Sequence, residues 1–298
     1  MTEENILHTP EAGLWETLAK YEIEIPDPVV EQLDQFCRLE WSWNEKVNLT
    51  RHTTYQKFVT RDLLDTLALS EFLAPGERVM DVGSGGGVPG ILLAILRPDI
   101  TVALAECVAK KAKILMEIVD EMRLPVYIFG GLGQDVLGNY KFHTLTFRAV
   151  ASMKKILEWF RQDWDHFDRM LLVKGPRWIN ERGEARHYNL LRGLALRKLK
   201  EYTIPDMICE EKSSSEPEEN ENASEKKLSE NRNGENLLIP STLTEEGAKS
   251  FILQICPEKK LMANDLCRLS SWETAKSRDH RKDRSRRKNR TDDNPERL

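Results

Sequence analysis

The sequence predicts an α/β fold: a mostly parallel, Rossmann-like sheet with helices on both faces, preceded by an N-terminal helical section. Three observations carry this expectation. Apolar residues recur at three- and four-residue steps through residues 29–47, short apolar runs alternate with helical stretches from residue 78 onward, and a glycine cluster directly follows the first of those runs.

Taken in order, Pro10 offers a favourable first-turn residue for a short helix covering Leu14 to Tyr21. Val29, Leu33, Phe36, Leu39, Trp43 and Val47 mark one apolar helical face, and a further helix is expected from Tyr55 to Phe72. The runs Val79–Val82, Val102–Ala105, Val126–Phe129, Thr144–Ala149 and Met170–Val173 read as strands. Helices fall between them at Gly90–Leu96, Lys110–Met122 and Met153–Trp159, with another somewhere in Ile179–Leu191. Leu194–Thr203 and Ser250–Cys256 suit an antiparallel pair at the end of the sheet. No internal repeat is evident.

The expected organisation is therefore a helical section over 1–75 and an α/β domain over 76–208 plus 237–258. Residues 209–236 form an acidic disordered insertion, and 259–298 a C-terminal extension with a basic disordered tail. The net charge of −5 conceals this segregation: 210–236 carries nine acids against four cations, whereas 276–290 carries nine Lys or Arg against two Asp. Any attraction to a polyanion is thus concentrated at the C-terminus. Five cysteines without a C-x-x-C pair predict reduced thiols and no metal site. No apolar stretch approaches the roughly 20 residues of a membrane span, so the expectation is a soluble, cytoplasmic protein.

The turn Asp81-Val82-Gly83-Ser84-Gly85-Gly86-Gly87 follows a strand and leads into a helix near Pro89, the context of a nucleoside-binding loop. Two cofactors compete for it. Gly85, Gly87 and Gly90 fit G-x-G-x-x-G, with Glu106 about twenty residues further on, which keeps an NAD-dependent oxidoreductase open. Two details favour S-adenosylmethionine. Asp81 suits the cationic amino-acid part of that cofactor but sits awkwardly beside a pyrophosphate, and Pro89 lacks an N–H where a pyrophosphate most needs donors. Glu106 can accept hydrogen bonds from ribose hydroxyls under either reading.

Around that turn the sequence resembles the RsmG family, also called glucose-inhibited division protein B. The resemblance rests on Trp43-Asn44 and Val47-Asn48-Leu49-Thr50, Arg61 with Asp65-Thr66, and DVGSGGGVPGILLAI at 81–95. Glu106 with Lys110-Lys111, Arg148-Ala149-Val150-Ala151-Ser152 and Leu172-Val173-Lys174-Gly175 continue it. It implies a class I S-adenosylmethionine-dependent methyltransferase that modifies N7 of a guanine in small-subunit (16S) ribosomal RNA. It also implies that Gly83 and Val88 contact cofactor from the loop, that Glu106 accepts from the ribose, and that Gly133-Gln134 flank the adenine. Arg148 would join the cofactor site to the substrate site. The family's usual His after the arginine matching Arg61 is here Asp62, and Glu106 stands for the commoner Asp.

Guanine N7 has a free in-plane lone pair, so transfer to it needs no general base; orientation in a dry pocket is what matters. Arg148 could orient guanine O6 or a phosphate with its forked donors, its plainer role being an ion pair at a strand end. Arg61 and Lys174 are candidate RNA-phosphate contacts. Asn44 fits a helix C-cap turn, Trp41 and Trp43 fit the core, and His52, His143 and His187 receive no role. The basic tail is expected to act as an RNA-contacting arm. A non-catalytic RNA-binding assembly protein remains the alternative outside enzymes.

Overall fold

The computed structural model describes residues 13–205 and 247–260. The expected start at Pro10, the acidic insertion and the basic tail lie outside the described residues. The N-terminal section comprises α1 (Leu14–Lys20) and α2 (Asp27–Asn44), then α3 (Tyr55–Lys57), a π-helical stretch (Phe58–Leu63) and α4 (Leu64–Ser70). Pro28 and Asp27 in the first turn of α2 suit a position where N–H groups lack partners and the helix dipole favours negative charge. The single helix expected from Tyr55 to Phe72 is thus interrupted. Thr60 Oγ1 donates to Gln56 O at 2.8 Å and Thr66 Oγ1 to Asp62 O at 2.7 Å, so side-chain hydroxyls share carbonyls with the backbone at both ends of the π turn.

The strands are β1 (Arg78–Val82), β2 (Thr101–Glu106), β3 (Val126–Gly130), β4 (Thr144–Arg148), β5 (Arg169–Lys174), β6 (Leu194–Pro205) and β7 (Gly247–Pro257). Between them lie α5 (Gly90–Leu96), α6 (Ala109–Met122), α7 (Gly133–Leu137), α8 (Met153–Trp159) and α9 (Trp178–His187). α7 was not expected; five residues opening on glycine are too few to display a helical period. The strand order is β3-β2-β1-β4-β5-β7-β6, parallel up to β5, with β7 antiparallel to both β5 and β6. The expected antiparallel pair is present, with its second strand inserted inside the first.

Period-two alternation sends residues to two cores. Val79, Val102, Leu104, Leu171 and Ile252 pack with the N-terminal helices, α5 and α6. Met80, Ala103, Ala105, Phe147, Leu172 and Leu253 pack with α7, α8 and α9. The N-terminal helices therefore share a core with the sheet. Asp81 and Thr146, paired in register across β1 and β4, alternate with Met80 and Phe147, which puts their side chains on the face the N-terminal helices cover. Among the described residues no helix is long and apolar enough to cross a membrane, and no cluster of three metal-ligating side chains occurs.

Candidate active site

At the carboxyl ends of β1 and β4 the strand order reverses, and this crevice is where an open α/β sheet binds ligands. The chain leaves β1 through Gly83 (φ 71°), Gly85 (58°) and Gly87 (100°). At Gly83 a Cβ would also stand 2.9 Å from Val150 Cγ1, so the turn can lie against the 148–152 loop only as glycine. Val88 is half-buried, and Pro89 caps α5. Asp81, 1 % exposed, accepts from Thr146 Oγ1 at 2.9 Å, and its Oδ2 is buried without a partner among the described residues. Burial pushes its carboxyl up to about 6; Thr146, Ser84, the Gly90 N–H and Arg148 oppose that rise only in part.

Glu106 ends β2 with both oxygens directed at backbone. Oε2 accepts from Gly85 N–H at 2.9 Å and Oε1 from Val108 N–H at 2.8 Å, which pins the glycine turn to the entry of α6. Oε1 also accepts from Cys107 Sγ at 3.9 Å, while Oε2 keeps a second lone pair for a ligand hydroxyl. Gly131 N–H donates to the Glu106 main-chain carbonyl at 3.0 Å, so the loop into α7 is tied to the end of β2, with Gly133 buried and Gln134 half-buried. A Cβ on Gly133 would stand 3.1 Å from Val82 Cγ1 and 3.2 Å from Phe160 Cζ, so α7 starts packed close against the end of β1.

Arg148 is placed differently from the free fork expected of it. Its Nη2 lies 2.6 Å from Asp62 Oδ1 and its Nε 2.7 Å from Asp65 Oδ2, pairs that tie the end of β4 to the π-helical stretch and α4. Burial works against its charge, and the two carboxylates more than offset that, holding its pKa above the ordinary value. Asp65 also accepts from Tyr202 Oη at 2.6 Å, bringing β6 into the network. The plainer role, an ion pair at a strand end, is the one the structure displays. Lys174 is likewise not a free cation: Nζ donates to Ala151 O at 2.7 Å and pairs with Glu181 at 2.8 Å, clamping the loop after β4. Arg61 is half-buried within the π-helical stretch.

Two residues escaped the sequence reading. His52, given no role, places Nδ1 2.9 Å from both oxygens of Asp62. Only folding brings residues 52 and 62 together, and no spacing rule announces it. Glu40 is buried on the α2 face that carries Leu33 and Phe36, with Oε2 unpartnered among the described residues. A charged residue on an apolar stripe was the available signal. Asn44 behaves as its bland reading holds: Oδ1 accepts from Leu49 N–H at 2.7 Å and Thr50 N–H at 3.0 Å, closing the turn after α2. Trp41 and Trp43 pack against the core.

The strand order departs from the 3-2-1-4-5-6 of dinucleotide-binding folds by the antiparallel strand between β5 and β6, which weighs against the nicotinamide alternative. Known proteins agree in sequence. A Rhodopirellula baltica protein named Ribosomal RNA small subunit methyltransferase G is 49% identical over 193 residues, covering 65% of this chain and 84% of that protein. The protein of that name from Chromobacterium violaceum is 32% identical over 208 residues, 68% of this chain and 95% of its own. Among solved structures, the O-methyltransferase from Bacillus cereus in complex with SAH aligns with a TM-score of 0.46 at 13% identity, covering 81% of this chain and 97% of that one. Residues 29–206 match the GidB family, rRNA small subunit methyltransferase G, and with these relatives they establish that this chain belongs to that family.

Proposed function

We propose that this protein transfers the methyl group of S-adenosylmethionine to N7 of a guanine in 16S ribosomal RNA. The observation that carries the reading is the Glu106 carboxylate, which bridges the Gly85 and Val108 N–H groups at the crevice and keeps a lone pair on Oε2 for a ribose. The residues fit the cofactor. Gly85 leaves backbone open to a ligand, Gly83 lets the turn lie against Val150, Val88 follows in the same turn, Gly133 and Gln134 open the helix after the loop tied to the end of β2, and Asp81 supplies a buried acceptor under the turn.

The cofactor supplies an electrophilic methyl group; the chain supplies place and dryness. Because guanine N7 already has its lone pair, no side chain has to take a proton before transfer. Arg148 serves as a positioning residue: Asp62 and Asp65 fix its guanidinium, and with it the strand end that faces the base. Its remaining N–H donors are available to guanine O6. Lys174 holds the 149–152 loop through Ala151 O, and Arg61 is the candidate phosphate contact on the helical side.

The test is methyl transfer from labelled S-adenosylmethionine to small-subunit RNA or particles lacking the mark, with the product mapped by base. Label at one guanine N7 is expected. No transfer, or transfer to another atom, overturns the reading. Gly85→Asp separates an enzyme from an assembly factor that binds without turnover, since it should abolish transfer in a folded protein. The basic segment 276–290 supports RNA contact by its charge. Removing residues from Thr274 onward is expected to weaken RNA binding and flatten its salt dependence; an unchanged salt slope rules the arm out.

A further inference from the structure

A second buried acid lies against the glycine turn, and nothing in the reaction proposed above uses it. Glu40, 1 % exposed on α2, sits so close to Gly86 that a Cβ built there would overlap its Oε1, with Leu49 O next at 3.3 Å. Its Oε2 is buried and has no hydrogen-bond partner among the described residues. Asp81 approaches the turn from the strand side and Glu40 from the helical side, so two orphaned carboxyl oxygens flank it. The Asp81 site is roofed by α5, where a Cβ on Gly90 would stand 3.0 Å from Asp81 Cβ.

A buried acceptor left without a donor is a standing cost, and packing does not demand one here, because the position lies on a stripe shared with Leu33 and Phe36. The neighbouring charges do not relieve it. Arg148 acts on Glu40 favourably but is engaged by Asp62 and Asp65, and Asp62 acts unfavourably. Three carboxyl groups, Glu40, Asp62 and Asp65, thus stand near one guanidinium, with His52 also against Asp62. A compact cation with N–H donors, delivered by the ligand, completes such a set. The amino-acid end of S-adenosylmethionine carries one.

We propose that Glu40 is a cofactor-contacting specificity residue, whose Oε2 accepts a hydrogen bond from the α-ammonium of the bound cofactor on the helical side of the glycine turn. This rests on the reading of the turn as the S-adenosylmethionine site. It adds to that reading a residue which distinguishes nucleosides bearing the amino-acid end from those without it.

Calorimetric titration with two nucleosides tests the proposal. S-adenosylhomocysteine has the α-ammonium; 5′-methylthioadenosine has the same adenosine and thioether without it. In Glu40→Gln, of equal size, affinity for S-adenosylhomocysteine should fall about tenfold or more while that for 5′-methylthioadenosine stays within about twofold. Equal losses for both ligands would mean that Glu40 only props the turn, and no loss for either would mean that it faces nothing; each overturns the proposal. Should that variant fail to fold, Glu40→Asp, which keeps the charge but is one methylene short, decides: it should weaken S-adenosylhomocysteine while leaving 5′-methylthioadenosine within about twofold, and equal losses or no loss overturn the proposal. Failure of the wild type to bind S-adenosylhomocysteine would instead remove the cofactor reading itself.

Discussion

Nη2 of Arg148 lies 2.6 Å from Oδ1 of Asp62, joining the last residue of the central strand β4 to the π-helical stretch of the N-terminal section. The pair is buried, and removing one partner leaves a charge with less compensation than its desolvation requires. Asp62→Ala should therefore destabilise the fold by about 3 kcal/mol, with Asp65 retaining part of the interaction. Urea denaturation of Asp62→Ala, Arg148→Met and the double variant checks this. The double variant should lose clearly less than the two single losses combined, and strict additivity would mean that the pair is not coupled.

Gly85 and Gly86 are neighbours with opposite constraints. Gly85 has φ 58° and only Gly83 O, at an ordinary contact distance of 4.0 Å, near a Cβ, whereas at Gly86 a Cβ meets Glu40 Oε1 and lies 3.3 Å from Leu49 O. Gly85→Ala should cost about 1–2 kcal/mol, from the left-handed backbone alone. Gly86→Ala has to displace a buried carboxylate and should cost more and lower the affinity for S-adenosylhomocysteine. Thermal melts paired with ligand titration distinguish the two, and equal costs would contradict the packing described.

Glu106→Gln removes an acceptor where two backbone donors converge. The amide offers one oxygen to Gly85 N–H and Val108 N–H, so one of them faces an NH2 group instead. A loss of about 1–3 kcal/mol in stability is expected, together with at least a tenfold drop in affinity for S-adenosylhomocysteine. Glu106→Asp, one methylene shorter, should retain more of both, as denaturation and titration can establish.

Asp81 gives a pH dependence whose sign is fixed. Its pKa is about 6 in the fold against about 3.9 unfolded, so between these values the folded protein binds more protons than the unfolded chain. Its contribution is fully present below pH 4 and is lost as pH rises through 6, amounting to at most roughly 3 kcal/mol. Glu40, raised by burial in the same direction, adds to the decline. Asp81→Asn should make the wild-type fall in denaturation free energy from pH 4 to 6.5 shallower. An unchanged slope would show that Asp81 ionises normally.

What the sequence by itself determined was set by local rules. Period-two and helical patterns located the strands and longer helices, because each pattern reports which side chains one element must bury. The glycine turn announced a ligand loop, because only glycine tolerates its positive φ values and leaves the backbone open. Motifs spread along the chain named the family. The tertiary structure alone decided what the charged residues do. From sequence Arg148 could orient a base or form an ion pair at a strand end, and Lys174 could meet a phosphate; in the fold each is held by acids brought in from elsewhere, Asp62 and Asp65 from the N-terminal section and Glu181 from α9. His52 and Glu40 gained their places in the same way. A charge interacts with whatever lies within a few ångströms in space, and along a sequence that distance cannot be read.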